Sequence, residues 1–265
     1  MGHISSIVAL ETHRVGRSAH GDALDFPVLD AAEGGRAQRL ADSWAKLHPA
    51  VVFFVLMLAG LALIVVLSIG LGFFLTRVVE QGSIGAADER VNGWLAAHRT
   101  PSRTDASLIG SIMAGGVVLP IIAGVVALVA AVFRHWRLVA FAVFALAVES
   151  ATYRGTTLVV HSHRPTVPRL EKLPVNASYP SGHTAAAIAV YGGLALLLTS
   201  RFTNGAFRVL TWTVVVAVVA FVGTARMYRG MHHPLDTAGG IFVGIAALIV
   251  IVFACRAAGA AADRR

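Results

Sequence analysis

Three short polar blocks stand out of an otherwise apolar chain: His161-Ser162-His163-Arg164-Pro165, Tyr179-Pro180-Ser181-Gly182-His183, and Arg226 through Asp236, which includes His232-His233-Pro234. Their residue types suit the capture and transfer of a phosphoryl group. Arginine stays charged and presents a planar fork that matches phosphate oxygens, so Arg164 and Arg226 are candidates for neutralising charge on that group. Ser181 and Gly182 open a helix whose first amides have no partner within it, and glycine lets the backbone come close to an anion. A neutral imidazole attacks phosphorus, while a second histidine gives a proton to the leaving oxygen near pH 7. Asp236, four residues after His232, is placed to hold the other nitrogen of an attacking ring. Pro234 suits the first turn of a helix, which puts Asp236 in that turn and His232 just before it.

These blocks need a scaffold that gathers them, and composition says which kind. Of 265 residues, 56% are hydrophobic and 14% charged, and the mean hydropathy is +0.72. That describes an integral membrane protein and excludes a soluble enzyme, a disordered tail protein and a DNA-binding domain, so nucleic acid is not an expected partner. The formal charge of +8 fits a positive-inside bias and contact with anionic lipid or phosphate. Cys255 stands alone, which rules out an internal disulfide.

Six apolar runs mark the spans: Ala50 to Leu75, Ala106 to Phe133, Leu138 to Val160 (interrupted by Glu149 and Arg154), Thr184 to Thr199, Val209 to Ala225, and Thr237 to Cys255. A crossing needs roughly 20 residues, so the last three must extend into their polar flanks. The expected fold is an all-α membrane protein, with six transmembrane helices in one bundle over 49–258, a polar N-terminal extension over 1–48 and a short tail over 259–265. In a six-span chain the end of span three, the start of four, the end of five and the start of six face one side. All three blocks fall at those four places.

The extension lacks the pattern of a cleaved signal peptide. Met1 to Ser6 fits a loose myristoylation pattern, and Arg36 to Leu47 reads either as an amphipathic interfacial helix or as a loosely ordered tail. Of the 22 Lys+Arg, twelve fall on the side holding both termini and nine on the other, with Arg154 inside a span. That places both termini in the cytoplasm and the polar blocks outside it. Only Lys46 and Lys172 are lysine, an arginine-heavy usage that fits a bacterial cell membrane.

The three blocks resemble the signature motifs of the type 2 phosphatidic acid phosphatase (PAP2) superfamily of lipid phosphatases and vanadium haloperoxidases, KxxxxxxRP, PSGH and SRxxxxxHxxxD. The likeness covers about residues 106–255. Pro180-Ser181-Gly182-His183 is complete, and Arg226, His232 and Asp236 keep the third spacing with Ala225 in place of serine. Arg164-Pro165 keeps the end of the first motif, but Thr157 stands where the family has lysine. The resemblance implies a metal-independent, cofactor-free mechanism. His232 would attack phosphorus to give a phosphohistidine, Asp236 would orient it, and His183 would protonate the leaving oxygen and later activate water. Arg164, Arg226, Ser181 and Gly182 would bind phosphate oxygens.

Arg154, Arg169 or Lys172 would replace the missing lysine's charge. Glu149 is expected to form a supporting ion pair with Arg154 or Arg226. His161, His163 and His233 read as loop or supporting residues, Arg229 as a snorkelling arginine, and Trp94, Trp136, Tyr179 and Tyr228 as interfacial belts. The implied activity is hydrolysis of a membrane lipid phosphate or diphosphate, with undecaprenyl diphosphate first and phosphatidate or phosphatidylglycerol phosphate next. Two alternatives stand beside it. One is a lipid phosphotransferase using the same phosphoenzyme. The other is a transporter or metal-binding protein with His161, His163, His183, His232, His233 and Asp236 as ligands, although the surrounding arginines favour an anion.

Overall fold

A computed structural model describes residues 26–172 and 176–265, so the myristoylation pattern and most of the extension lie outside the described residues. Among the described residues ten α-helices follow in order: α1 (Arg36–Ser43), α2 (Pro49–Phe74), α3 (Ser83–Ala97), α4 (Pro101–Met113), α5 (Val118–Val132), α6 (Trp136–Val159), α7 (Gly182–Ala187), α8 (Gly193–Arg201), α9 (Gly205–Tyr228) and α10 (Pro234–Ala262). Proline opens α2, α4 and α10, where its missing N–H removes no helical bond. Thr100 and Asn204 cap α4 and α9 by accepting bonds from Arg103 N and Phe207 N. One isolated bridge, Ser162 to Ala177, joins the loops before and after the undescribed residues 173–175.

Six helical stretches are long and apolar enough to cross a membrane: Pro49–Val79, Pro101–Val132, Trp136–Val159, Gly182–Arg201, Gly205–Tyr228 and Pro234–Ala262. The chain is a multi-span membrane protein. As expected from their short apolar runs, the last three spans reach into the polar blocks. The second span differs from the expected single run, since it breaks between α4 and α5 at Ala114–Val117, around Gly115-Gly116. The helix α3 was not expected at all. It is polar along much of its length and bears on the site described below.

The core lies where α2, α6 and α10 meet. Phe53, Met57 and Ile64 of α2 pack with Phe141 and Val148 of α6 and with Leu248 and Ile251 of α10. In lipid such contact rests on close packing rather than on expelling water. At the end of the bundle away from the polar blocks, α1 is a helix, and it packs Ala37 and Ala41 against Ala257 and Ala261 of α10. Arg137 pairs with Asp30 at 2.9 Å and Arg264 pairs with Asp42, which fastens this layer to α6 and α10.

The close approach of α7 to α10 depends on small residues. A Cβ on Gly240 would collide with the Ser181 carbonyl, and one on Gly244 would lie 2.6 Å from the Ala185 carbonyl. Ser181 N also donates to Asp236 O at 2.9 Å, so the second and third polar blocks are joined through backbone. Gly240→Val should push α7 off α10, cost about 1–3 kcal/mol as an overpacked contact, and lower the unfolding temperature in detergent. Gly70→Val, at a position with nothing within 4 Å, should leave it nearly unchanged. Equal effects of the two substitutions would contradict this packing.

Candidate active site

His232 lies in the turn between α9 and α10 and is buried. Its Nδ1 sits 2.8 Å from the Ser178 carbonyl and 3.8 Å from Asp236 Oδ2. A carbonyl oxygen only accepts, so Nδ1 carries the proton and a neutral ring has its lone pair on Nε2. Burial lowers the His232 pKa, with Asp236 pulling the other way, and the net shift favours the neutral ring. Asp236 Oδ2 accepts from Ser178 Oγ at 2.5 Å and from His233 N at 2.8 Å, so Ser178 touches both the ring and the carboxylate.

The next residue has a different environment. His233 Nε2 lies 3.2 Å from Glu89 Oε1 and its Nδ1 lies 3.4 Å from Asp236 Oδ2. Burial opposes a charge on this ring, but Asp236 and Glu89 outweigh it and raise its pKa to about 9. Proximity to Asp236 alone would favour His233 over His232. A ring held as a cation between two carboxylates has no lone pair for attack, which distinguishes the two.

Arg226, in the last turn of α9, is fully buried. Its Nη1 bonds Glu171 Oε2 at 2.8 Å, Glu171 Oε1 at 2.9 Å and Ser111 Oγ at 2.5 Å. Arg229 Nε donates to Glu171 Oε1 at 2.5 Å, and its Nη1 donates to Ser107 Oγ at 3.1 Å. Burial works against the Glu171 charge, but Arg226 and the bonds from both arginines and Ser111 bring its pKa down to about 2. The Nε and Nη2 of Arg226, which form the side-on edge of the guanidinium, are buried with no partner among the described residues. His183, at the start of α7, is within electrostatic reach of Arg226, His232, Glu171 and Arg164. Arg164 donates through Nη2 to Ala177 O at 2.8 Å and through Nη1 to Met231 O, bracing the turn that carries His232.

The unexpected helix α3 clamps this turn from the other side. Asn92 Nδ2 donates to Met227 O at 3.1 Å and to His232 O at 3.0 Å. Asp88 accepts from Leu235 N at 3.3 Å, and Glu89 holds His233 and Thr166. Arg99, just past α3, donates to Tyr228 O and Pro168 O. Gly230 has φ +70, which only glycine adopts readily, and a Cβ there would crowd Pro168 O at 3.1 Å.

Residues 138–258 match the family model of the PAP2 superfamily. This stretch is a PAP2-superfamily region. The chain also shares the fold of the transmembrane PAP2 type phosphatidylglycerolphosphate phosphatase from Bacillus subtilis, with TM-score 0.61 and 18% identity over 71% of this chain and 93% of that one. LpxE of Aquifex aeolicus aligns at TM-score 0.47 and 20% identity, covering 61% of this chain and 92% of that one. In sequence, 75 residues are 37% identical to an undecaprenyl-diphosphatase of Sulfolobus acidocaldarius, which is 28% of this chain. The match spans about a third, 32%, of that relative's length.

In the matched stretch the structure brings His183, His232, Asp236, Arg164, Arg226 and Ser181 near one another, with Gly182 beside Ser181 and packed against Tyr153. Several supporting expectations fail. Glu149 is buried but pairs with neither expected arginine; Ser150 Oγ donates to it at 3.1 Å while Arg226 is engaged by Glu171. Arg154, five residues on, is turned about 140° away from Glu149 at about 100° per residue and is exposed. Thr157 bonds only the Arg154 carbonyl, and Lys172 is exposed. The cation that joins the site is instead Arg229, which is buried rather than snorkelling. Tyr179 is also buried, with its ring against Gly72 and Gly239, and Tyr228 OH bonds Thr100 N and Thr104 Oγ1, so neither is a belt residue. Trp94 and Trp136 are exposed, and so are His161 and His163. Among the described residues no three His, Cys, Asp or Glu side chains are grouped to hold a metal ion.

Sequence reading missed Glu171, Ser178, Asp88, Glu89 and Asn92. Only the spacing of Asp88 and Asn92, which shares one helical face, hinted at them. Glu171→Gln should leave Arg226 less firmly aimed and raise KM for a phosphate-bearing substrate by about tenfold, about 1.4 kcal/mol, with a smaller change in kcat. An unchanged KM would show that Arg226 holds its direction without the carboxylate. His233, with its pKa raised in the fold, contributes stability that is complete below about pH 6.5 and lost as pH rises through about 9. Thermal unfolding followed across that alkaline range should show the loss in the parent and not in His233→Gln.

Proposed function

We propose that the protein is a membrane lipid phosphatase working through a phosphohistidine on His232. The observation that carries this reading is the free side-on edge of Arg226, two buried and unpartnered N–H donors, within electrostatic reach of His232, whose ring is held through Nδ1 by the Ser178 carbonyl. A phosphate monoester or diphosphate supplies the paired oxygens that such an edge matches. Arg226, Arg164, Ser181 and the Gly182 amide hold the phosphoryl oxygens. His232 Nε2 then attacks phosphorus in line, an N–P bond forms, and the bond from phosphorus to the lipid-side oxygen breaks. His183 gives that oxygen its proton. In the second half His183 takes a proton from water, the hydroxide attacks phosphorus, the N–P bond breaks, and inorganic phosphate leaves. Ser178 O and Asp236 keep the ring in its Nδ1–H form throughout.

Undecaprenyl diphosphate is the favoured substrate, supported by the activity for which the Sulfolobus acidocaldarius relative is named. Phosphatidylglycerol phosphate, named in the activity of the structural neighbour, and phosphatidate come next. The positive-residue count supports termini in the cytoplasm and a site opening on the outer face of the cell membrane. Purified protein should release phosphate from at least one of these lipids in the presence of a strong chelator. His232→Ala should lower release by about 10³-fold or more, and the parent quenched mid-turnover should carry acid-labile phosphate that this variant lacks. Full activity in His232→Ala would refute the mechanism, and transfer of the phosphate to a second lipid without its release would make the protein a phosphotransferase.

A further inference from the structure

On an exposed face of the bundle, α9 and α10 line an apolar groove of 920 Å³. Its walls include Val216, Val219 and Ala220 of α9 and Ile241, Ile245 and Ile249 of α10. One end reaches Arg256, near the far end of α10, and the other reaches Thr184, Gly223 and Thr237. Thr184 follows His183 in the chain and Thr237 follows Asp236. The two meet over Gly223, whose Cβ would lie 2.8 Å from Thr237 Cγ2 and 3.8 Å from Thr184 Oγ1. Thr184 Oγ1 in turn donates to Ser181 Oγ at 3.1 Å, so a single side chain separates the groove from the phosphate site.

From this continuity we propose that the groove binds the hydrocarbon tail of the substrate lipid, a long isoprenoid or acyl chain whose phosphate sits at Ser181 and Arg226. The inference rests on the lipid-phosphatase reading and adds where the rest of the substrate lies. From Thr237 to Arg256 the helix rises about 28 Å at about 1.5 Å per residue, close to the roughly 30 Å hydrocarbon thickness of a bilayer. A chain leaving the site therefore stays beside protein across the membrane. Other occupants fit less well. From Glu11 onward residues 1–25 carry an ionisable group every few positions, including His13, Arg14, Arg17, His20 and Asp22, which an apolar slot would exclude. Bulk phospholipid wets any outer face, but nothing would anchor its end at Thr184.

The test is to fill the groove and vary the tail. Ala220→Trp and Ile245→Trp occupy the walls, and Val125→Trp on α5, which is exposed outside the groove, is the control. For undecaprenyl diphosphate in mixed micelles, each groove variant should raise KM by roughly tenfold or more with the control unchanged. For dimethylallyl diphosphate, too short to enter, kcat/KM should stay within about twofold of the parent in all three. Equal effects on both substrates, or none on the long one, would overturn the proposal. A second measurement needs no turnover. A prenyl phosphate with a photoreactive tail should label α9 and α10 along the groove, and unlabelled lipid phosphate should compete while phosphatidylcholine should not. Labelling that phosphatidylcholine removes equally, or that is absent from the groove, would assign that face to bulk lipid or to a protein contact and reject the inference. Competed labelling without hydrolysis of any lipid phosphate would leave the groove standing and refute the phosphatase reading. Normal hydrolysis with uncompeted labelling would do the reverse.

Discussion

A guanidinium taken fully out of water at the end of a membrane span sets the terms for everything around it. Arg226 is completely buried, and burying an isolated charge costs several kcal/mol unless partners compensate it. Glu171 and Ser111 satisfy one terminal nitrogen, and Glu171 also draws in Arg229. Two arginines against one carboxylate leave the cluster cationic. The remaining donors of Arg226 therefore face a shortage of negative charge that a phosphate is suited to fill. A second carboxylate there would neutralise the cluster, but it would also occupy the edge that the proposed phosphate site leaves open.

The same economy of charge explains how two adjacent histidines come to differ. His232 meets a carbonyl through Nδ1, whereas His233 meets carboxylates at both nitrogens. A neutral acceptor on one side fixes a tautomer without adding a proton, and two anions retain one. Residue type therefore says little about role here. What separates the rings is one backbone oxygen from Ser178 and one carboxylate from α3, and the environment divides their chemistry as it does for paired carboxylates in known enzymes.

Much of this is legible in the sequence. Charge-free runs located six spans, and alternation of six crossings brought three polar blocks to one end, because both follow from local hydropathy and counting. The supporting partners were not legible. Asn92 reaches His232 across 140 residues of chain and Glu171 reaches Arg226 across 55, and neither pairing leaves a local pattern. The helix α3 lacks a long apolar run, so hydropathy passed over it. Glu149 misled for the opposite reason: a lone acid in a span suggests an arginine partner, yet a neighbouring serine and close packing are what it has. The missing motif lysine likewise directed attention to Arg154 on the same helix, while the extra cation came from Arg229, one turn beyond Arg226.

Burial also clarifies the charge asymmetry along the chain. The bias of twelve positive residues to nine was shallow because it mixed two kinds of arginine. Arg164, Arg226 and Arg229 are buried among protein partners, whereas none of the described positive residues on the opposite side is buried. An arginine held inside the fold answers to its carboxylate or carbonyl, and one in a solvated flank answers to the membrane's charge asymmetry. Setting the three aside leaves six against twelve. The count is therefore steeper on grounds of geometry alone, without assuming what the buried arginines bind.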